Sequence, residues 1–502
     1  MRIHLCFAAC LRDGAAWLLS CSGRRAQLIL LALALTTVVR AQYTYVQENG
    51  AITITGYSGT GGVVTVPCTL ADMPVRQIGD YAFQQNVSQV SVAIPDSVTV
   101  IGNYAFANCT ALESVTIPGS VTVIGTWAFS GCMKLNGVSL PAGLASIESG
   151  VFFGCAGLAG ISIPNGVTYI GDYAFQNCSA LTGVTIPNSV SRIGSVAFAE
   201  CTSLKTLTLP TGLAVLDTGV FRNCRSLSDL TIPGNVGSIY NEAFAGCTGL
   251  VSLIMSEGVG GLLDHAFAGC AELARVTIPD SLTYLDHTAF TGCTNLEGFL
   301  VGGNNPAFSS VDGVLFNRSR SLLIQYPLKR AGSAYDIPGG VSTVGDSAFG
   351  GCSTLAHVGI PDSVTTLGFG AFAGCTGLTA IQIPDGVTAL GRYAFSGCSG
   401  LTSFSLGAGL SILSEGAFSG CTGLGAARIP SGIATIGNQA FDGCTGLVSV
   451  KMSYNVRNIG DYAFAYCPHL TGVYFSGPAP QPGTDPFTGT KAIIYCVAET
   501  GG

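Results

Sequence analysis

Residues 109–129 read CTALESVTIPGSVTVIGTWAF, and the chain repeats this pattern with a constant period. The phenylalanine that ends the stretch, Phe129, follows Phe106 by twenty-three positions. Sixteen phenylalanines keep this spacing in two runs, with one interruption between Phe290 and Phe349. They are Phe83, Phe106, Phe129, Phe152, Phe175, Phe198, Phe221, Phe244, Phe267, Phe290, Phe349, Phe372, Phe395, Phe418, Phe441 and Phe464. A fixed period of this length indicates a fold of stacked units that contact only their neighbours.

Other residue types keep the same phase within each unit. An aliphatic residue stands five positions before the phenylalanine, cysteine three positions after it and leucine six after it. The alternation in Val115–Ile117 predicts a short strand with one buried face, ended by Pro118. We expect a turn near Gly125 and a short helical piece around Ala128–Phe129. No unit can bury its own apolar residues, so stacking must form a parallel sheet over a continuous core.

Composition limits the class of protein. Of 502 residues, 48% are hydrophobic and 10% are charged, which excludes a disordered chain. The net charge is −7, so the chain lacks the basic footprint of a nucleic-acid-binding protein. No stretch is apolar for long enough to predict a membrane span.

The segment 1–41 differs from the rest of the chain. Arg24 and Arg25 precede the apolar run Ala26–Val39, and the small residue Ala41 follows. This order predicts a secretory signal peptide over residues 1–41; an amphipathic or wrongly assigned leader is the alternative. Removing it would take away five basic residues and one acidic residue, changing the net charge to −11.

The unit Cys-x-x-Leu-x-x-Val-x-Ile-Pro-x-x-Val-x-x-Ile-Gly-x-x-Ala-Phe resembles the BspA-like branch of the leucine-rich-repeat proteins, over roughly residues 76–475. The resemblance implies a leucine-rich-repeat solenoid of about sixteen 23-residue coils with its parallel sheet on the concave face. Known members are exported, surface-associated proteins, and several are adhesins. The resemblance implies a binding role but no particular partner, because members with different ligands share the framework residues.

The interruption and the two ends suggest further segments. The interval from Phe290 to Phe349 exceeds one unit by thirty-six positions, and the strand-like runs Val314–Phe316 and Leu322–Ile324 predict a β-hairpin insertion. We interpret residues 476–502 as a C-terminal cap, with truncation of a longer protein as the alternative. The predicted segments are the signal peptide 1–41, an N-terminal β cap 42–75, repeats 76–297, the hairpin insertion 298–336, repeats 337–475 and the C-terminal segment 476–502.

Fifteen cysteines, from Cys109 to Cys467, occupy one position of the repeat, and Asn86 takes that position in the first coil. Disulfides are common in exported proteins, but the side chains of a stacked column point the same way rather than at each other. We therefore expect each thiol to fill a small buried slot. The Asn86 side chain is expected to bond the turn backbone.

Candidate binding residues lie on the exposed face of the strands. The residue ten positions after each phenylalanine is Ser or Thr in the first coils, which strand propensity alone explains. In the last coils it is Arg428, Lys451 and Tyr474, with Tyr454 and Arg457 nearby. Arg and Tyr are favoured as interface anchors, so we predict partner binding here; generic surface variation is the alternative.

The insertion carries a second candidate site. Arg318, Arg320, Lys329 and Arg330 form a basic cluster in sequence within an otherwise acidic chain. A partner-contact site and a structural spacer with a solvated turn both fit this pattern.

Catalytic signatures are absent from the sequence. Asp264-His265 and Asp286-His287 could approach each other on one flank, but a catalytic or metal site would need a third converging group. We expect no catalytic, metal or cofactor site. The predicted function is a secreted or cell-surface module, a monomeric rod that binds an extracellular protein or glycan. The alternative is a structural envelope or matrix component without a specific ligand.

Overall fold

A computed structural model describes residues 42–496, and all its regular structure in that range is β-strand. At the N-terminal end an antiparallel pair leads into the first coil, and its second strand continues as a parallel ladder. The strands of this end are β1 (Tyr43–Glu48), β2 (Ala51–Tyr57), β3 (Gly62–Thr65), β4 (Thr69–Leu70) and β5 (Met73–Ile78).

Most coils contribute two short strands. We name the longer one, after the repeated leucine, the face strand, and the two-residue one, before the phenylalanine, the return strand. The face strands are β6 (Gln89–Ala93), β8 (Ser114–Thr116), β10 (Gly137–Val138), β13 (Gly183–Thr185), β15 (Thr206–Thr208), β17 (Asp229–Ile232), β19 (Ser252–Met255), β21 (Arg275–Ile278), β23 (Gly298–Val301), β27 (Ala334–Asp336), β29 (His357–Gly359), β31 (Ala380–Gln382), β33 (Ser403–Ser405), β35 (Ala426–Ile429), β37 (Ser449–Met452), β39 (Gly472–Phe475) and β41 (Ile493–Cys496). The return strands are β7 (Val100–Ile101), β9 (Val123–Ile124), β11 (Ser146–Ile147), β12 (Tyr169–Ile170), β14 (Arg192–Ile193), β16 (Val215–Leu216), β18 (Ser238–Ile239), β20 (Gly261–Leu262), β22 (Tyr284–Leu285), β28 (Thr343–Val344), β30 (Thr366–Leu367), β32 (Ala389–Leu390), β34 (Ile412–Leu413), β36 (Thr435–Ile436), β38 (Asn458–Ile459) and β40 (Gln481–Pro482).

Successive coils pair in parallel with the register that the repeat predicts. Leu230 pairs with Leu253, and Ile170 pairs with Ile193, so each residue faces its equivalent one period later. The solenoid of stacked coils is therefore confirmed. The face strands form consecutive shorter sheets rather than one uninterrupted sheet.

The marker phenylalanines form a buried aromatic stack along the axis. Phe106 and Phe129 have ring centroids 5.2 Å apart with 1° between their planes. The fifteen cysteines of the repeat are buried. Except at Cys352, the Sγ of each donates to the carbonyl oxygen of the phenylalanine in the preceding coil, as from Cys201 to Phe175 at 3.2 Å. The cysteines from Cys68 to Cys467 are free thiols, as the packing interpretation predicts. Asn86 accepts bonds from both the amide and the hydroxyl of Ser88.

The predicted helical piece around Ala128–Phe129 is wrong, because the chain forms turns there. In the equivalent segment of the preceding coil, Tyr104 and Asn108 have φ angles of 53° and 60° on either side of Phe106. An α-helix cannot contain left-handed residues at this spacing. The amide of Phe106 instead donates to Ala128 O in the next coil, which ties neighbouring turns together.

The predicted hairpin is present and has a third strand. β24 (Phe308–Val311), β25 (Val314–Asn317) and β26 (Leu322–Gln325) pair antiparallel in sequence order, and β26 then pairs in parallel with β28. Side chains of β25 alternate between two hydrophobic cores. We call the coils before the insertion the first array and the coils after it the second array. Leu315 packs in the core of the first array, whereas Val314 and Phe316 pack in the core of the second. The single continuous core expected from the repeat is therefore two cores, because strands of the insertion lie between them; β26 likewise places Ile324 in one core and Leu323 in the other.

Candidate functional site

The three predicted residues on the last face strands form one exposed column. Arg428 pairs in register with Lys451, and Lys451 pairs with Tyr474. Alternation along each strand buries the flanking residues Ala427 and Val450 and turns the three predicted side chains outward. Neighbouring rungs of a sheet are about 4.8 Å apart. The three residues that the repeat aligns in sequence are therefore neighbours in space.

Within the described part of the chain, the two cations of this column have no acidic partner. Arg428 and Lys451 form no ion pair within residues 42–496, although other arginines do, such as Arg392 with Glu415 at 2.6 Å. Like charges directly opposite on neighbouring strands repel each other. This arrangement costs stability in the free protein, and an anionic or acceptor-rich group of a partner would relieve the repulsion.

Tyr495, which the sequence analysis missed, extends the column. It pairs with Tyr474, and the two rings stack with centroids 4.8 Å apart and 8° between their planes. It follows Tyr474 by twenty-one positions, so a fixed 23-residue step passes over it. The Tyr474 ring also lies across Gly472, where a Cβ would be 2.8 Å from its hydroxyl oxygen. Glycine at this position allows the ring to lie against the sheet.

Tyr454 and Arg457 lie beside the column rather than in it. Both belong to the segment that joins β37 to β38, and both side chains are exposed. The Arg457 backbone belongs to the stack, since its amide donates to Ala434 O and its carbonyl accepts from Gln481 N. Their side chains could contact a partner that extends past the edge of the column.

The basic residues of the insertion do not form one cluster. Arg318 and Arg320 follow β25, so they lie at one end of the hairpin. Arg330 donates from Nε to the carbonyl of Asp312, in the turn at the other end, and its guanidinium lies 5.2 Å from the Tyr335 ring centroid. Lys329 donates from Nζ to Asn295 at 2.9 Å. The proximity in sequence was misleading, because β26 returns the chain to the opposite end.

The two acid–histidine pairs meet through a threonine. Thr288 Oγ1 lies 2.7 Å from Asp264 Oδ1 and 2.6 Å from Asp286 Oδ1, and His265 and His287 contact the same carboxylates. The bond from Thr288, with those from His265, lowers the pKa of Asp264. Across residues 42–496 no three His, Cys, Asp or Glu side chains are placed to share a metal ion. The Thr288 hydroxyl can donate to only one of the two carboxylates at a time, and the Thr288 amide donates to Asp286 Oδ1 at 2.9 Å.

The same range contains no long apolar helix of the kind that crosses a bilayer. The predicted signal peptide lies outside the described residues.

Comparisons with known proteins agree with the fold. The sequence profile of the BspA type leucine-rich repeat region matches residues 76–185, 170–297, 333–426 and 365–493. A leucine-rich repeat protein of Bacteroides ovatus is 28% identical, covers 82% of this chain and 94% of its own, and has a TM-score of 0.53. A leucine rich cell surface protein of Faecalibacterium prausnitzii is 27% identical, with 87% and 94% covered and a TM-score of 0.44. No curated protein matches the chain. Because the profile covers well over half of its length, the chain belongs to the BspA type leucine-rich repeat proteins.

Proposed function

We propose that this protein is an exported or surface-associated, non-catalytic recognition module that binds an extracellular protein or glycan through its C-terminal face. The observation that carries the proposal is the exposed column of Arg428, Lys451, Tyr474 and Tyr495. Its two cations form no ion pair with the described residues, and two stacked tyrosines follow them. The export part rests on the predicted signal peptide. Membership of a leucine-rich-repeat family with surface-associated members also supports it.

The chemistry of the column suits an interface. Arg and Tyr are enriched among residues that dominate binding energy, and both offer hydrogen-bond donors on a body of apolar atoms. The side chains project from paired backbone, so little backbone order has to be gained when a partner binds. Tyr454 and Arg457 would add contacts at the edge of the same surface.

A triple variant tests the assignment. Arg428→Ala, Lys451→Ala and Tyr474→Ala together should weaken binding by more than about tenfold. Binding would be measured by surface plasmon resonance against a panel of immobilised matrix proteins and polysaccharides. The matched control is the triple Thr185→Ala, Thr208→Ala and Thr231→Ala, which changes the same repeat position in earlier coils.

Both triples should keep the melting temperature within a few degrees, since all the changed side chains are exposed. Raising the salt concentration should weaken the wild-type complex, because exposed cations act through screened charge. If the first triple binds as tightly as wild type, the site assignment fails. If the purified chain self-associates without any partner and irrespective of the column, a structural matrix role is favoured instead.

A further inference from the structure

A cleft of about 550 Å³ lies beside the insertion, where the ladder of return strands is interrupted. β22 is the last strand of its sheet, and the next return strand, β28, belongs to a sheet that begins with the insertion. The cleft is lined by residues from both arrays and from the hairpin. A volume of this size is typical of small-molecule sites, which range from about 300 to 1,000 Å³.

Apolar side chains provide part of the lining. Phe308 and Ile324 belong to the core of the first array, and Leu322 packs against it. Tyr284 stands at the rim with 56% of its surface exposed. An exposed ring next to an apolar surface offers a face for a ligand that is itself partly apolar.

Two carboxylates lie among the polar side chains of the cleft, which otherwise carry groups that can both donate and accept hydrogen bonds. Asp286 lies on the first array and Asp346 on the second. Asp286 Oδ1 accepts from Thr288, and Asp346 Oδ1 accepts from the amide of Phe369. The second carboxylate oxygen of each has no hydrogen-bond partner in the described part of the chain. Both oxygens can therefore accept from a ligand.

His287 also lines the cleft and contacts Asp286. No lysine or arginine among the described residues lines it, so an anionic ligand would face two carboxylates with one histidine to offset them. A purely apolar ligand would leave these carboxylates desolvated and unpaired. Thr283, Asn317 and Thr343 add further polar groups around the apolar surface. A small cation could pair with the carboxylates and lie over the Tyr284 ring, but it would leave the apolar side chains of the cleft uncovered.

We propose that this cleft binds a neutral saccharide. The C–H face of a sugar ring would lie against Tyr284 and the apolar lining, and its hydroxyls would donate to Asp286 and Asp346. This site is separate from the C-terminal column and does not depend on the function proposed above.

The test uses saturation-transfer NMR and calorimetric titration of the full chain. The neutral probes are the methyl glycosides of glucose, galactose, mannose and N-acetylglucosamine; methyl glucuronide and methylammonium are the charged comparisons. Tyr284→Ala and Asp346→Asn should each weaken the binding of a neutral probe by about tenfold or more. Asparagine can replace Asp346 in the fold, since Asn103, at the same repeat position, accepts the equivalent bond from the amide of Thr126 in the next coil.

Matched controls separate the site from general effects. Tyr169→Ala changes the tyrosine at the repeat position of Tyr284, and Asp461→Asn changes an aspartate with the same backbone bond as Asp346. Neither control residue lines the cleft, so both variants should bind as wild type does. The proposal is overturned if no neutral probe binds, if the controls weaken binding equally, or if the glucuronide or methylammonium binds more tightly than every neutral probe.

Discussion

The ring of Tyr326 stacks on the ring of Phe349, with centroids 5.0 Å apart and 25° between their planes. Tyr326 precedes Phe349 by one full period, so the second aromatic stack begins within the insertion rather than after it. Its hydroxyl is buried near the Arg330 guanidinium, but it makes no hydrogen bond of good geometry with the described residues. The ring contributes to the stack as a phenylalanine does elsewhere, while the hydroxyl has lost its contact with water.

Two replacements of Tyr326 should separate the effect of its ring on stability from the effect of its hydroxyl. Tyr326→Phe is expected to raise the free energy of unfolding by about 1 kcal/mol, because it removes an unsatisfied hydroxyl. Tyr326→Ala should lower it by about 3–5 kcal/mol, because a cavity would open at the start of the stack. Urea denaturation would measure both. A destabilising Tyr326→Phe change would show that the hydroxyl has a partner.

Replacing Gln89 by an apolar residue should increase the stability of the protein. Gln89 lies six residues after Phe83, where other coils have leucine, and both polar atoms of its fully buried amide lack partners within the described range. Gln89→Leu is expected to stabilise the protein by about 1–3 kcal/mol. Leu112→Gln, the reverse change one coil later, should destabilise it. Equal melting temperatures for wild type and Gln89→Leu would contradict this interpretation of the site.

Neighbouring residues of β25 should affect different halves of the molecule. Leu315→Ala is expected to increase hydrogen exchange in the coils before the insertion, and Phe316→Ala in the coils after it, because each packs in a different core. Mass spectrometry of exchanged peptides would locate the change. Identical exchange patterns for the two variants would mean that the cores are not independent.

Thiol reactivity should distinguish Cys68 from the cysteine column. Cys68 is exposed, whereas the column cysteines are buried, and burial raises the pKa of Cys201 to about 12. The thiolate is the reactive form, so maleimide should label Cys68 at neutral pH and label Cys201 only after unfolding. Peptide mapping of the native protein checks this. Rapid labelling of several column cysteines would disprove their native burial.

Because of these buried thiols, the protein should become less stable at alkaline pH. Burial raises the pKa of Cys155, Cys201, Cys247 and Cys293 from 9.0 to about 12. Folding then favours the protonated thiol, so this stabilisation is complete below pH 9 and is lost as the pH rises towards 12. Each such thiol should reduce the free energy of unfolding by about 1.4 kcal/mol per pH unit in that window.

Urea denaturation at a series of pH values would measure this loss. Cys201→Ala should reduce the slope of unfolding free energy against pH by the contribution of one thiol. Cys68→Ala should leave this slope unchanged. Stability that stays constant between pH 9 and 11 would contradict the predicted effect.

The C-terminal column was predictable from sequence only in part. Arg428, Lys451 and Tyr474 follow the 23-residue step, so their alignment could be read from the repeat. Tyr495 could not, because the last coil is two residues shorter and strand pairing, not spacing, places it opposite Tyr474. The basic residues of the insertion failed as a cluster because β26 carries the chain from one end of the hairpin to the other between Arg320 and Lys329.

What the sequence by itself determined is the periodic interior. Every coil must present the same buried surface to its neighbours, so the positions of Phe221, Cys224 and Leu227 recur and identify the core. Only the tertiary structure decided what happens where the period fails: the division of the core by the insertion and the cleft beside Tyr284. Both features depend on which strands pair across the irregular segment. That segment does not repeat, so the amino-acid pattern does not show which strands pair there.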